Sequence, residues 1–299
     1  MKTKKKNNGQ VVGLQEKIFN TIMCILGIII TIIALYPVYY VLIASISKPF
    51  YVDTGDIIYK PYGFCLESYK QIIGNQKIWI GYGNTIFYTV FGATVSMVLS
   101  TTLAYALASK KLVGKKFLTL FTIFTMWFNA GMIPTYMNIK SLGLLNSRMA
   151  IVLGFGMSTY NMIILKSFFQ QIPDSLEEAA YVDGANNIVI FSKIMLPLSK
   201  PALATVTVFY AINRWNSYFW PMIILKDDVK TPLQVILKKM IVDRAANAAD
   251  AAIVTVDSLT SPTTLIYATI VIAIVPMLFV FPFVQKYFKR GLTLGGVKG

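Results

Sequence analysis

Six stretches of this sequence are each long and apolar enough to cross a bilayer, and nothing else constrains the fold as strongly. A span needs about 20 mostly apolar residues to cross roughly 30 Å of hydrocarbon. The windows 18–46, 84–109, 117–137, 149–169, 202–225 and 264–285 meet that requirement. Of the 299 residues, 56% are hydrophobic and 14% charged, where a soluble domain carries about 25% charge. One soluble core could not hide that much apolar surface, so the excess faces lipid. The expected fold is an all-α membrane protein of six transmembrane helices in one domain, 1–299. The first window follows Lys2, Lys4, Lys5 and Lys6 but is too long for a signal peptide and lacks a small-residue cleavage site, so it reads as a retained helix.

The charge balance, 28 Lys+Arg against 13 Asp+Glu, is +15. In a soluble chain that excess would suggest a polyanion; here it is expected to record orientation, without a nucleic-acid partner. Six spans put both termini on one side, and that side carries the larger basic excess, with Lys110, Lys111, Lys115 and Lys116 in one connector. The positive-inside rule makes it cytoplasmic.

The chain has no histidine, the commonest general base and metal ligand. Cys24 lies in an apolar run and Cys65 in a polar stretch, so no disulfide is expected, and no Cys/His metal spacing exists. No catalytic residue, metal site or bound cofactor is expected. Every Asp and Glu falls outside the six windows, and Arg214 is the charged residue well inside one. Ion-driven carriers place carboxylates near the midplane, so this distribution argues for an external energy source. No GxxxxGK[ST] occurs, hence no nucleotide site in this chain.

Residues 170–200, QQIPDSLEEAAYVDGANNIVIFSKIMLPLSK, form the longest expected cytoplasmic loop. Ser175 with Glu178 fits a capping box, and Asp174 with Glu177 is an alternative pair one residue earlier. A short helix is expected there, its acidic first turn suited to the helix dipole. Ala180 and Gly184, four apart, would share a smooth face open to another protein. Gly184 weakens the helix, so a second short helix through Ile188 and Phe191 is expected before Pro197 and Pro201. The physics alone allows either a docking loop or a capped helix lying under the membrane.

Glu178-Ala179-Ala180, three residues, Gly184, nine residues, then Ile194-Met195-Leu196-Pro197 resembles the EAA loop of bacterial ABC importer permeases, EAA-x3-G-x9-I-x-LP, at every fixed position. The resemblance extends over nearly the whole chain. The ending KRGLTLGGVKG (289–299) looks like the smaller permease of maltose-type sugar importers, and FNAGMIPTYMNIKSLGLLNS (128–147) and NRWNSYFWP (213–221) look like the branch serving lipo-oligosaccharide-like or polygalacturonan-like uptake. It implies the type I ABC importer fold in a bacterial cytoplasmic membrane, and a loop in which Glu178, Ala179, Ala180, Gly184, Ile194, Leu196 and Pro197 dock the ATPase. It also implies a second permease subunit, two ATPase subunits that carry ATP and Mg, an extracytoplasmic solute-binding protein and an oligosaccharide substrate. The tail 291–299 would be an extended insert in the ATPase interface, or a frayed end.

Span five carries Asn213, Arg214, Trp215, Asn216, Ser217 and Tyr218 in succession, which a lipid-facing helix would not tolerate. Indole and phenol rings stack on sugars and amides bond hydroxyls, so Asn213, Trp215, Asn216 and Tyr218 are candidates for the translocation path. The alternative is an aromatic belt with ordinary packing, and Arg214 could instead pair with the second permease. Asn129, Gly131 and Pro134 mark an irregular end of span three. Two external segments, 48–83 and 226–262, are long enough to fold, and the Ala-rich 238–257 needs something to rest on. Competing readings are an ABC permease for a non-sugar solute and a non-transporting membrane scaffold.

Overall fold

The computed structural model describes residues 14–128, 130–246 and 259–295. The expectations placed on Lys2 to Lys6, Asn129, 247–258 and 296–299 lie outside them. The described chain is helical, with an antiparallel bridge between Ser47 and Phe64. In order the helices are α1 Leu14–Ser45, α2 Pro49–Asp53, α3 Glu67–Gly74, α4 Gln76–Ala108, α5 Lys115–Trp127, α6 Met132–Ser141, α7 Arg148–Leu153, α8 Thr159–Phe169, α9 Asp174–Val182, α10 Asn187–Ile190, α11 Leu196–Leu198, α12 Lys200–Trp215, α13 Phe219–Ile224, α14 Leu233–Ala246 and α15 Pro262–Gly295. They fall into two compact units: the described residues of Met1–Ser68 with Ile253–Ala268, and those of Tyr69–Ala252 with Thr269–Gly299.

Three of the six windows, those in α1, α4 and α15, are uninterrupted helices long and apolar enough to span a membrane. The other three are broken, which the apolar windows did not reveal. Window 117–137 becomes α5 and α6, bent by 113° around Gly131, whose φ of +86° suits a residue without Cβ. Window 149–169 becomes α7 and α8, separated by a turn holding Gly154 and Gly156. Window 202–225 becomes α12 and α13, because the polar pair Asn216–Ser217 ends the helix. Hydropathy averages over such breaks, since the residues that make them are few. The last helix runs on through Gly295, so the first part of the expected extended tail is helical instead.

In the first unit α1 is apolar on all sides and exposed from Ile18 to Leu35, the pattern of a helix solvated by lipid. Its far end is held: Ile43 and Ala44 pack with Val52 and Ile57, beside Tyr40, Tyr51 and Tyr267. The segment after α1 folds back on this end, with Cys65 N–H donating to the Ile46 carbonyl at 2.9 Å and Ser68 Oγ to Thr264 Oγ1 at 2.9 Å. Cys24 and Cys65 are both free.

The second unit is built around α4. Gly92, Ser96, Ser100 and Ala104 recur every fourth residue and are buried, so neighbouring backbones approach closely, as small residues allow in helix packing within lipid. Leu107, Met162, Leu165, Phe169, Ile190 and Val206 fill one core between α4, α8 and α12. Tyr88, Ile139, Ile151 and Ile224 fill a second. The helix expected within 238–257 is in part α14, which buries Leu233, Val235 and Leu237 and rests on α4 so closely that a Cβ on Gly81 would lie 2.5 Å from Ile236.

Candidate functional site

The loop after α8 forms the expected short helix with a different start. Pro173 occupies the N-cap without a side-chain bond, and α9 begins at Asp174. Ser175 therefore sits inside the first turn and no capping box forms. Pro173 supplies only its carbonyl, which accepts from Leu176 N–H at 3.1 Å, and Asp174 and Glu177 place negative charge in the first turn. Lys110 Nζ lies 2.5 Å from Asp174 Oδ2, and this bond holds the ammonium above its ordinary pKa. Lys111 Nζ sits 3.4 Å from the centre of the Tyr181 ring, whose hydroxyl bonds Asn187 Oδ1. Glu177 and Tyr105 line a pocket of about 160 Å³ together with Lys110, Lys115, Asp174 and Met195.

The end of α9 corrects the expectation of a shared Ala180–Gly184 face. Gly184 has φ +79° and lies beyond the helix. Its N–H donates to the Tyr181 carbonyl at 3.0 Å and that of Ala185 to the Ala180 carbonyl at 2.9 Å, the bond pair of a Schellman motif with Gly184 in the left-handed position. Counting four residues assumed a helix that has already ended. Ala180 turns inward, 8% exposed within the α4–α8–α12 core, while Glu178, Ala179 and Gly184 are exposed.

The chain then re-enters α10 through Asn186, whose side chain accepts from Val189 N–H at 2.9 Å. Between Phe191 and Met195 the helix widens to a π turn. Pro197 explains this: it has no N–H for the carbonyl four residues earlier and its ring crowds that carbonyl, so the turn dilates. Ile194 and Leu196 are half-buried against the core and Pro197 is exposed. The sequence reading missed Val182, 88% exposed, and Ile188, 75% exposed. Their only signal was an apolar residue on either side of Gly184 in a polar loop.

The span-five candidates separate. Asn213, Asn216 and Tyr218 are exposed, while Trp215 is buried, its indole N–H donating to the Ala273 carbonyl at 3.3 Å and its ring set edge-on to Tyr82. Arg214 is buried too, and its bonds lie within this chain. Its guanidinium donates to the carbonyls of Ile151, at 2.7 Å, and Phe155, and to Ser96 Oγ at 3.3 Å. One turn earlier, the Tyr210 hydroxyl meets Ser100 Oγ at 2.6 Å and accepts from Ser158 N–H at 3.0 Å. Breaking a helix in lipid strands backbone groups that no water can satisfy. Here α12 supplies their partners, which gives Arg214 its reason for being buried.

A second polar cluster ties the turn before α7 to the segment after α13. Asn146, with φ +55°, accepts at Oδ1 from the backbone N–H of Lys226 and Asp227 and donates from Nδ2 to Asp227 Oδ2 at 2.8 Å, and its carbonyl takes Lys230 Nζ at 2.8 Å. Asn84 donates to the carbonyls of Val229 and Thr231 and accepts from Arg148. The Asp227 carboxyl, bonded by Lys230 and Asn146, and the Asp228 carboxyl, bonded by Lys77, both titrate below the ordinary aspartate range.

Similarity to known proteins agrees with this architecture. The polygalacturonan/rhamnogalacturonan transport system permease protein YtcP of Bacillus subtilis (strain 168) is 39% identical over 96% of this chain and 100% of its own. Protein LplC of the same organism is 38% identical over 89% of this chain and 90% of its own. A chain in the crystal structure of a bacterial ABC transporter involved in the import of the acidic polysaccharide alginate superposes with a TM-score of 0.84 at 40% identity, over 92% of this chain and 98% of that one. Residues 17–294 match the binding-protein-dependent transport system inner membrane component family. The chain belongs to that family and is a multi-pass membrane subunit of a binding-protein-dependent transport system.

Proposed function

We propose that this chain is a permease subunit of an ATP-driven importer, pairing with a second permease chain to pass an oligosaccharide across the cytoplasmic membrane by alternating access. The relatives named for polygalacturonan, rhamnogalacturonan and alginate support a carbohydrate cargo. Two ATPase chains carrying ATP and Mg drive the cycle, and an extracytoplasmic binding protein delivers the sugar. Both termini and α9 face the cytosol, in line with the basic connector 110–116. Asn213, Asn216 and Tyr218 line the path between the two permease chains, where exposed amides and a phenol bond sugar hydroxyls. Trp215 supports them from behind.

The observation that carries the reading is the shape of the α9 loop. Leu176, Val182 and Ile188 are exposed apolar side chains next to a residue without one, Gly184, and such a surface in a polar loop fits a protein groove. Gly184→Asp places a charge on that surface and is expected to abolish ATPase capture and coupled uptake by the reconstituted transporter. Gly184→Asn tolerates the left-handed backbone and is the control for folding. Full coupled ATPase activity in the Gly184→Asp transporter would remove α9 as the docking element.

A further inference from the structure

We propose that Lys110 and Lys111 are positioning residues that clamp α9 to the α4–α5 connector, so that a displacement of α9 is delivered to α4 and α5 as well as to α12. The inference rests on α9 being the ATPase-docking helix and adds a second route by which its motion enters the membrane.

The two lysines grip opposite ends of one helix. Lys110 holds Asp174 in the first turn, and Lys111 lies over Tyr181 in the last. Tyr181 in turn bonds Asn187, the first residue of α10, whose carbonyl faces the Tyr105 hydroxyl at 3.5 Å. The connector is itself closed by Lys115, which donates to the Ala108 carbonyl at the end of α4 at 2.8 Å. Of α9's residues, Ala180 alone is buried. Along its first turn α9 faces the pocket between Tyr105 and Met195 rather than packed side chains. The amino end of α9 is thus tied by charge to a basic connector over open space. A push on it moves the connector with little repacking, where a helix seated in a dense core would resist. The sequence assigns the four lysines an orientation role; the geometry gives two of them a mechanical one.

The test uses the complete transporter with its cognate ATPase chains and binding protein in proteoliposomes, and reads both ATPase activity and sugar moved per ATP hydrolysed. Lys110→Asp sets two carboxylates against each other and is expected to lower sugar per ATP at least fivefold, as is Asp174→Lys. The exchange Lys110→Asp with Asp174→Lys is expected to recover half or more of the wild-type ratio. Lys111→Arg keeps a cation over Tyr181 and is expected to transport normally, while Lys111→Gln is expected to lose about as much as Lys110→Asp. Lys110→Asp, Asp174→Lys and Lys111→Gln all within twofold of wild type, or an exchange no better than either single change, would overturn the clamp. Co-purification of the ATPase with each variant separates this from the docking reading. If Gly184→Asp abolishes capture while the clamp variants are silent, the clamp alone fails; if Gly184→Asp also leaves capture intact, the docking reading fails with it.

Discussion

At the Asn146 turn, loop backbone is bonded to helix side chains, whereas at α9 exposed side chains are bonded to one another. Asn146, Asn84, Thr85 and Tyr88 meet carbonyls and amides of residues 226–233, and Asn84, Thr85 and Tyr88 are buried. Backbone held in this way has one conformation, because each group that lets go is left unpaired. At α9 the Lys110–Asp174 contact is solvent-exposed beside a pocket, so α9 and its connector can shift together without unpairing buried groups. The contrast separates a junction of buried backbone bonds from one of exposed side-chain contacts, the arrangement that the proposed docking and clamp require.

The largest expected effect comes from the other set of buried backbone bonds, those that Arg214 makes to the broken α7–α8 segment. Arg214→Met leaves the Ile151 and Phe155 carbonyls without donors and is expected to destabilise the detergent-solubilised protein by about 3 kcal/mol, read as a lowered unfolding midpoint. Lysine there should restore no more than part of the loss, since one ammonium cannot match the fork that meets three acceptors. An unchanged midpoint in Arg214→Met would break the comparison, because the broken helix would then need no partner.

Asn146→Ala follows, at about 2 kcal/mol, from a strained left-handed backbone and the lost amide bonds. Asn146→Gly relieves the backbone part alone and should fall between the two. Equal midpoints for alanine and glycine would shift the whole effect onto the side-chain bonds.

Titration gives the smallest effect, with opposite signs at the two ends. The Asp227 and Asp228 carboxyls titrate below their ordinary 3.8, so their contribution is present above that pH and is lost as the pH falls through the lowered values. The Lys110 ammonium titrates above its ordinary 10.5, so its contribution is present below that pH and is lost as the pH rises through the raised value. Spin-label distances between Ser141 and Val229 should lengthen as acid protonates the two aspartates, and those between Val113 and Ser175 as alkali discharges Lys110. A pair that stays closed through its own titration would remove that contact from the comparison.

Much of this was legible in the sequence. The windows in α1, α4 and α15 are what they look like, because a long apolar run in lipid has no alternative to a helix. The motif around Glu178 and Gly184 was legible because its residue types sit at fixed spacing, and the proposed docking role rests on it. The Asn146 cluster was invisible, because its partners lie about eighty positions away and no local pattern announces them. Ala180 misled for the opposite reason: spacing gives the face of a residue only while the helix lasts, and Gly184 had already ended it.

By itself the sequence determined that this is a helical membrane protein of the permease kind, and it singled out the loop on which the docking proposal rests. Composition and motif are local quantities, and these are local consequences. The tertiary structure alone decided that windows 149–169 and 202–225 break, how sharply 117–137 bends at the irregular end marked by Gly131, and what mends the breaks. A backbone group stranded in hydrocarbon must find its partner in space, and Arg214 reaches the Ile151 carbonyl across 63 positions of chain.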